Sequence, residues 1–559
     1  MTSPGSQVYR ALSVLSVAMA AVLAAAAETG QPRVQVAQGG ERAAAKTATT
    51  APARERPTAD EAEVFFAQGV IPRLRVDVTG AELEALKKNP RVFVRATVRE
   101  TTPGKAERVF ADVGVHLKGS AGSFRDLGDK PAITLSFGRF VKGQRFCGLD
   151  KLYLNNSVQD PSYLCENIGG SVFRAAGLPA PRVANARVWF NGRDLGFFVL
   201  KESFDGEFLS RNFQDRSGTV YEGTQVDIDG ELPAKTNEAR KNYAKLKELA
   251  AAASERDPAL RRQRLEKTLD VDRFLTLMAI EAMLVHWDGY GGNRNNYRIY
   301  DDPTTGKLVF LPHGMDQLFQ RPDDSLFLGA GMLARALTET PEDRSRYLER
   351  VAELRQRVFR PDALVKRLDE ISARIVPVME QISPEAARDH KDQAVDLRRR
   401  IIERVRNIDA QLAAVPRVPK FDAAGVTAIE NWSPRQDGGN ATVDRFDEDG
   451  KARLRIRSGQ GACLASFRTT VLLPKGRYVL EGQCRAIKVA ADDAPNSGVG
   501  LRISGGQRKT RLVGDTAWTS SEFEFDVTDA AREVILVCEL RASSGEAWFD
   551  VESLKLRRR

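Results

Sequence analysis

The feature that most constrains the fold of this chain is a complete change of its apolar pattern at Pro416-Arg417-Val418-Pro419. The stretch before this segment has mainly helical periodicity from about Glu238 onwards. The stretch after it alternates between apolar and polar residues in short segments separated by Gly, Asp and Pro. Regularly spaced alternating segments are typical of an antiparallel β-sandwich. We therefore predict at least two domains, of which residues 420–559 form an all-β, jelly-roll-like sandwich. Its expected strands are 452–457, 477–484, 499–503, 522–527 and 534–540.

Residues 61–415 mix strand and helix signals and are expected to form one α+β domain. Alternation predicts strands, and Asn191-Gly192 predicts a tight hairpin turn between two of them. A strongly apolar stretch, residues 271–285, predicts a buried helix. The expected strands are 73–78, 92–98, 113–118, 133–137, 186–190, 196–202 and 308–311; the other expected helices are 81–88, 160–177 and those within 344–414.

The amino-terminal segment resembles a secretory signal. Arg10 precedes an apolar stretch, residues 11–27, which ends in Ala25-Ala26-Ala27. A charged, apolar and small-residue order predicts a signal peptide over residues 1–27, followed by a linker without apolar periodicity over residues 28–60. The alternative is an uncleaved anchor, although the stretch is short for a membrane span. We expect a secreted, periplasmic or cell-surface protein without a transmembrane segment in the mature chain.

Composition excludes two classes of protein. With 42% hydrophobic and 28% charged residues, the 559-residue chain is globular rather than disordered and has room for two or three domains. The net charge of +9 is spread along the chain without a basic stripe that carries interleaved aromatics, so no nucleic-acid partner is expected. Five cysteines are compatible with export and leave one or two disulfides open.

A glycine-broken loop between the apolar helix and a strand carries the strongest functional signal. His286, Asp288 and Asn293 have the spacing H-x-D-x-x-x-x-N of a protein-kinase catalytic loop. Phosphoryl transfer uses such a carboxylate to orient the attacking hydroxyl, and such an amide to hold a metal. A second acid, Asp316, follows a short apolar strand, where the metal-holding aspartate of a kinase lies. The alternative for Asp288 is a turn-stabilising role before Gly289.

Several motifs in order resemble the CotH family, the atypical protein kinases similar to spore coat protein H. The resemblance covers residues 73–415 and implies a compact, two-lobed, kinase-like fold ahead of the sandwich. It also implies transfer of the γ-phosphate of ATP to Ser or Thr of a protein substrate, with Mg²⁺ or Mn²⁺. The motifs are Val113–Ser120, Leu152–Asn156, Gly177–Pro181 with the Asn191-Gly192 hairpin, Gly196–Glu202, the Asp288 loop and the Asp316 segment.

The resemblance assigns roles in catalysis and metal binding. It implies that Asp288 is the catalytic aspartate and that Asp316 holds the metal between the phosphates. Asn293 has the kinase spacing, whereas Asn296 directly precedes the family-like Tyr-x-x-Tyr strand. Either amide is a candidate for the second metal ligand. The family commonly has Trp-Asp-x-Asp where this chain has Gly314 before Asp316, so one acid is missing and the metal arrangement is expected to differ.

Four further residues are candidates for cofactor binding. Lys118 and Lys130 flank a small-residue turn and are candidates to neutralise phosphate charge. Glu166 is a candidate to orient such a lysine, as a kinase helix glutamate does. Glu202 resembles the acid at the kinase hinge beside adenine. The alternatives are solvated lysines and a Glu166 that pairs with a neighbouring basic side chain on its own helix.

The expected sandwich resembles carbohydrate-binding modules in its pattern. Trp432, Trp518 and Trp548 are candidates to stack on sugar rings, and burial in the sandwich core is the alternative. The resulting hypothesis is an exported CotH-like kinase with a carbohydrate- or surface-binding module. The second hypothesis is a non-catalytic extracellular scaffold with the same module, since ATP is scarce outside the cytoplasm.

Overall fold

The computed structural model describes residues 61–559 except for 121, 415, 417 and 449. The predicted signal peptide, residues 1–27, and the predicted linker, residues 28–60, lie outside the described residues. No helix of the described part is both long and apolar enough to cross a membrane. All five cysteines are described, and each is a free thiol.

The first strands close into a barrel in the order β1-β2-β3-β4-β5-β7-β6. The barrel closes because β1 pairs with β6, and this pair is parallel. The pairs that β1 forms with β2 and β6 forms with β7 are antiparallel. The predicted hairpin is confirmed, since Asn191 and Gly192 both have positive φ, at 46° and 78°. The elements are α1 Glu61–Gln68, β1 Arg73–Asp77, α2 Gly80–Lys88, β2 Val94–Thr101, β3 Arg108–Lys118, β4 Ala132–Ser136, β5 Lys151–Asn155, α3 Cys165–Ala175, β6 Val183–Phe190, β7 Arg193–Glu202 and α4 Gly206–Asn212.

Helix α3 begins at Cys165, later than the sequence pattern predicts. Asp160 explains the difference, because its carboxylate accepts hydrogen bonds from the backbone N–H of Ser162 at 3.1 Å and of Cys165 at 2.9 Å. The Asp-Pro-Ser segment is therefore a capping turn before the helix rather than its first turn. This turn fixes the position of Glu166 in the first turn of α3.

The following part packs helices around the sheet β10-β9-β8. Helix α7 is buried nearly all round, which agrees with its continuous apolar pattern, and it ends where Val285 adopts a left-handed φ of 53°. The elements are β8 Val220–Gly223, α5 Tyr243–Ala253, α6 Pro258–Thr268, α7 Val271–Leu284, β9 Tyr297–Asp302, β10 Lys307–Pro312, α8 Met332–Ala336, α9 Pro341–Arg357, α10 Pro361–Glu380 and α11 Pro384–Ala414.

The part after α11 is rich in antiparallel strands with a core of its own. The expected strands 452–457 and 477–484 both lie within one long strand, β13, which changes register where its partners change. Strand β13 pairs with β12, β15, β16 and β17. The elements are β11 Val426–Ala428, β12 Ser433–Glu448, β13 Lys451–Ala490, β14 Gly498–Ile503, β15 Thr519–Ala542, β16 Ser544–Asp550 and β17 Lys555–Arg558.

Candidate functional site

Glu281 of α7 holds the backbone of the loop that carries Asp288 by hydrogen bonds. The fully buried carboxylate of Glu281 accepts hydrogen bonds from the backbone N–H of Tyr290 at 3.2 Å and of Gly291 at 2.9 Å. Burial raises the pKa of Glu281 to about 7, against the opposing effect of these two donors. The only signal that could have pointed to this acid in the sequence is that it interrupts an otherwise apolar helix.

Asp288 is held by three asparagine amides. Its Oδ1 accepts a hydrogen bond from Asn293 Nδ2 at 2.7 Å, and its Oδ2 accepts from Asn295 Nδ2 at 2.9 Å and Asn296 Nδ2 at 2.7 Å. An ionised carboxylate only accepts hydrogen bonds, so each amide presents its N–H side to Asp288. The amide oxygens are then left for other partners, which is the orientation that a metal ligand requires.

Hydrogen bonds join the Asp288 loop to the Asp316 segment. His286 Nε2 donates to the carbonyl of Gly314 at 3.0 Å, and the backbone N–H of His313 donates to the carbonyl of Asn296 at 3.1 Å. Burial lowers the pKa values of both His286 and His313, so both imidazoles are neutral near pH 7. His286 is therefore a link between two segments rather than a charged group of the site.

Asp316 is half-buried and lies close to other charged groups. Burial, followed by the charges of Glu166 and Asp160, raises the pKa of Asp316 to about 6. Among the described residues no lysine, arginine or histidine forms an ion pair with Asp316 or Asp288. Two carboxylates without a cationic partner, next to amide oxygens, are suited to a hard divalent cation.

Gly314 is required by the backbone at its own position. Its φ is +55°, and a Cβ there would lie 2.4–2.7 Å from three side-chain atoms of Asn296. An aspartate at position 314 would thus displace Asn296 unless the segment moved. The missing family acid and the close approach of Asn296 are therefore parts of one arrangement.

The structure adds a residue that the sequence argument missed. Lys201 of β7 forms a buried ion pair with Glu166 of α3, with Nζ 2.9 Å from Oε1 and 2.8 Å from Oε2. A strand lysine paired with a helix glutamate is the arrangement that positions the phosphate-binding lysine of protein kinases. The available signal was a lysine close to the end of an otherwise apolar strand.

Lys118 lies beside this ion pair. Its Nζ donates to Asn155 Oδ1, and Asn155 Nδ2 donates to Glu166 Oε1 at 3.4 Å. Burial, followed by the charge of Lys201, lowers the pKa of Lys118 to about 8, while Glu166 and Asp316 oppose that effect. The charges of Glu166 and Asp316 thus both act on Lys118, but the lysine that forms an ion pair with Glu166 is Lys201 rather than Lys118 or Lys130. We call Lys118, Glu166, Lys201, Asp316 and the Asp288 loop the cleft.

The other two cofactor candidates have different surroundings. Lys130 Nζ donates to the Tyr163 hydroxyl at 2.9 Å and lies over the rings of Tyr163 and Phe198. Glu202, which is fully buried, is paired with Arg182 at 2.8 Å and with Arg211 at 2.6 Å. The structure does not join either residue to Lys201 or Asp316 by a hydrogen bond or ion pair. Their predicted roles at a nucleotide stay predictions.

The donor set of the cleft fits a metal bound together with phosphate oxygens. Asp316, Asn293 and Asn296 would hold Mg²⁺ or Mn²⁺ through one carboxylate and one or two amide oxygens. No group of three or more His, Cys, Asp or Glu residues within the described part is arranged to hold a metal ion without such help. A buried lysine–glutamate pair, an acid and a carboxylate–amide loop are also the parts that phosphoryl-transfer enzymes use.

The family of the chain follows from comparison with known proteins. The family model described as CotH kinase protein matches residues 115–406, just over half of the chain. The chain therefore belongs to the CotH family, and the resemblance expected from its motifs is confirmed.

Curated relatives are similar over part of their length. Invasin CotH2 of Rhizopus delemar is 23% identical over 306 residues, which cover 48% of this chain and 51% of the invasin. Invasin CotH3 of the same organism is 26% identical over 201 residues, 31% of this chain and 33% of that protein. Inner spore coat protein H of Bacillus subtilis is 23% identical over 197 residues, 33% of this chain and 53% of that protein. The chain thus spans about a third to half of the length of these relatives.

Two solved carbohydrate-binding modules are similar to a smaller part of the chain. TmCBM61, solved with beta-1,4-galactotriose, is 14% identical with a TM-score of 0.18 and covers 23% of this chain and 88% of that chain. A CBM4 structure is 15% identical with a TM-score of 0.18 and covers 25% and 92%. TM-scores of this size carry no conclusion about the fold or the ligand of the β-rich part.

The three candidate tryptophans of the β-rich part have unequal surroundings. Trp432 is buried, and its Nε1 donates to the carbonyl of Ile429 at 2.8 Å, so its ring belongs to the core. Trp518 and Trp548 are half-buried, and each carries an arginine over its ring, Arg453 and Arg455 respectively. Only the latter two rings are accessible in part.

Proposed function

We propose that this CotH-family protein is an exported kinase that transfers the γ-phosphate of ATP to Ser or Thr of a protein substrate. The observation that carries the proposal is the buried Lys201–Glu166 ion pair beside Asp316. Burying two charges is costly, and the contact of Lys201 Nζ with both carboxylate oxygens of Glu166 holds this lysine in one orientation. Lys201, held in this way next to Asp316 as the proposed metal ligand, would be able to position a phosphate group.

The residues of the cleft divide the work of the reaction. Lys201 and Lys118 would donate hydrogen bonds to phosphate oxygens, and Asp316 with Asn293 or Asn296 would hold the cation. The bound Mg²⁺ or Mn²⁺ would neutralise negative charge on the phosphates. Asp288 would orient the acceptor hydroxyl and take its proton. The hydroxyl oxygen then bonds to the γ-phosphorus, the bond to the β-phosphate oxygen breaks, and ADP leaves.

The test is transfer of labelled γ-phosphate to the protein itself or to a generic acceptor. Asp288→Asn and Asp316→Asn are each expected to reduce the rate by about a hundredfold or more, because each removes one positioned catalytic charge. Asp362→Asn is the matched control, since its carboxylate is exposed and paired only with Arg360. Equal rates for the wild-type protein and Asp316→Asn would refute the metal role.

One observation favours the non-catalytic alternative. Gly314 replaces a family acid, and Asn296 occupies the space that an acidic side chain there would need. A scaffold needs no metal, so it should show no stabilisation by ATP with Mg²⁺ or Mn²⁺. A kinase site should bind nucleotide and unfold at a higher temperature, because a ligand that binds the folded state stabilises it. A folded wild-type protein without this metal-dependent shift would establish the scaffold.

The β-rich part is proposed to bind a glycan or another surface polymer and to hold the protein near its substrate. Trp518 and Trp548 support this, since partly accessible tryptophan rings provide apolar surfaces on which sugar rings stack. Export, proposed from residues 1–27, would place such a polymer within reach.

A further inference from the structure

A cavity of about 280 Å³, whose lining includes none of the cleft residues, is bordered by five arginines and by Glu63, Asn167 and Asn185 among others. We call it the arginine pocket. Arg174 of α3, Arg211 of α4, and Arg367 and Arg374 of α10 contribute guanidinium groups, and Asn185 of β6 contributes an amide. Helices that are distant in sequence therefore place several positively charged guanidinium groups around one pocket.

Three of these arginines have no acidic partner. Among the described residues no carboxylate forms an ion pair with Arg174, Arg367 or Arg374. Arg367 instead donates two hydrogen bonds to Asn167 Oδ1, at 3.2 and 2.9 Å, and Arg174 donates to the carbonyl of Pro181. Neutral acceptors satisfy part of the hydrogen-bonding capacity of these arginines, whereas the carboxylates of Glu63, which also lines the pocket, and Glu202 pair with Arg182 and Arg211.

Buried donors at the pocket also lack acceptors. Asn185 is 6% exposed, and neither its Nδ2 nor the Nε of Arg211 has a hydrogen-bond partner within the described part of the chain. Burying such a donor without an acceptor destabilises the folded state. Burial, followed by the charge of Arg211, also lowers the pKa of Arg174 to about 10. A bound anion would relieve both costs.

We propose that the arginine pocket binds a small, multiply charged anion that carries phosphoryl or carboxylate groups. Guanidinium groups match both kinds of oxyanion by paired N–H donors, and several of them select for more than one negative charge. The volume suits a molecule of the size of pyrophosphate or citrate. This site is separate from the proposed nucleotide cleft and does not depend on the proposed kinase activity.

Neighbouring residues connect the pocket to the cleft. On α3, Glu166 pairs with Lys201 in the cleft, while the next residue, Asn167, accepts from Arg367 at the pocket. On β7, Lys201 points into the cleft, while the next residue, Glu202, binds Arg211 at the pocket. An anion in the pocket would thus hold the two elements that position the Lys201–Glu166 ion pair.

The experiment is calorimetric titration of the full chain with pyrophosphate, and separately with citrate, in EDTA at an ionic strength fixed with NaCl. The wild-type protein is expected to bind at least one of them saturably, and the two titrations separate phosphoryl from carboxylate recognition. Arg367→Gln and Arg374→Gln should each weaken binding about tenfold or more, the size of a lost charge-assisted hydrogen bond. Lys366→Gln is the control, since it removes the same charge from an exposed side chain of α10.

A further variant separates the pocket from the cleft. Asp316→Asn should leave metal-free binding of the anion within about twofold, because Asp316 lies in the cleft. Circular dichroism of each variant checks that it is folded. If either Arg367→Gln or Arg374→Gln fails to fold, the other still tests the pocket. Absence of saturable binding to the wild-type protein, or binding unaffected by both folded arginine variants, would overturn the proposal. So would loss of binding in Asp316→Asn alone.

Discussion

For single residues, the alternation of side chains between the two faces of strand β7 determines which charged group lies in the cleft. Lys201 and Glu202 are adjacent, and successive side chains of a strand point to opposite sides. Lys201 therefore meets Glu166, whereas Glu202 meets Arg182 and Arg211. The sequence argument selected Glu202 and passed over its neighbour, because both are charged ends of the same apolar strand.

The role proposed for Lys201 is tested by replacing the whole ion pair. Lys201→Met with Glu166→Gln leaves no unpaired buried charge, which alone would cost about 3–5 kcal/mol. This double variant should lose about a hundredfold or more in γ-phosphate transfer while staying folded. The matched control is Lys245→Met with Asp301→Asn, an ion pair outside the cleft, which should retain the rate. Similar losses in both double variants would count against a specific role.

The pH dependence of stability tests the burial of Glu281. Its folded pKa of about 7 lies above its pKa in the unfolded chain, about 4.3, so the folded state retains a proton that the unfolded state releases. The stability linked to this proton is fully present below about pH 4.3 and is lost as the pH rises through 7. Between pH 5 and pH 8 the wild-type protein should lose on the order of a few kcal/mol more than Glu281→Gln. Urea unfolding at both pH values gives the comparison, and parallel losses would show that Glu281 does not titrate in this window.

At the scale of elements, the loop between α7 and β9 depends on glycines for its close contacts. A Cβ on Gly292 would lie 2.1 Å from the carbonyl oxygen of Trp287, and one on Gly289 would lie 2.6 Å from Glu281 Oε1. Backbone atoms cannot move aside as a flexible side chain can. The loop conformation that presents Asp288 and its asparagines therefore requires glycine at position 292.

Gly292→Ala is expected to distort the loop and reduce γ-phosphate transfer about tenfold or more, because a small displacement of a positioned group is costly in rate. Its thermal unfolding temperature should also fall. Gly329→Ala is the control, since a Cβ there meets nothing within 4 Å and its φ is not in the left-handed range. Steady-state rates and unfolding temperatures of the two variants are compared. A fully active Gly292→Ala protein would contradict the loop geometry.

In the molecule as a whole, the β-rich part after α11 and the barrel of the preceding part have separate cores. The β-rich part buries its own set of apolar side chains, including Leu480, Phe549 and Leu556. The barrel is built around another set, including Leu74, Val115 and Leu200. Separate cores are the physical condition for independent folding.

Residues 420–559 are accordingly expected to fold alone, and residues 61–415 to retain nucleotide binding. The β-rich fragment should be soluble, strand-rich by circular dichroism and cooperative in thermal unfolding, since its length is sufficient for a core. The larger fragment should show the same metal-dependent thermal shift with ATP as the full chain. An unfolded β-rich fragment, or loss of the shift on truncation, would show that the parts form one integrated structure.

Local sequence patterns are enough to predict the periodic features of this protein. The buried helix, the hairpin at Asn191-Gly192 and the strand-rich character after Pro419 all follow from local patterns, because apolar periodicity and turn chemistry act over a few residues. The family resemblance also followed from sequence, since its motifs lie in one order along the chain.

The pairing of charged groups, in contrast, depends on how distant elements pack in the folded chain. Lys201 of strand β7 pairs with Glu166 of helix α3, and Glu281 accepts hydrogen bonds from the backbone of the Asp288 loop. Arg367 donates to Asn167, which lies 200 residues earlier in the chain. Such pairings depend on the packing of distant elements, and no local pattern encodes them. A buried charge must still find its partner in the folded state, because leaving it alone costs more than most single interactions contribute.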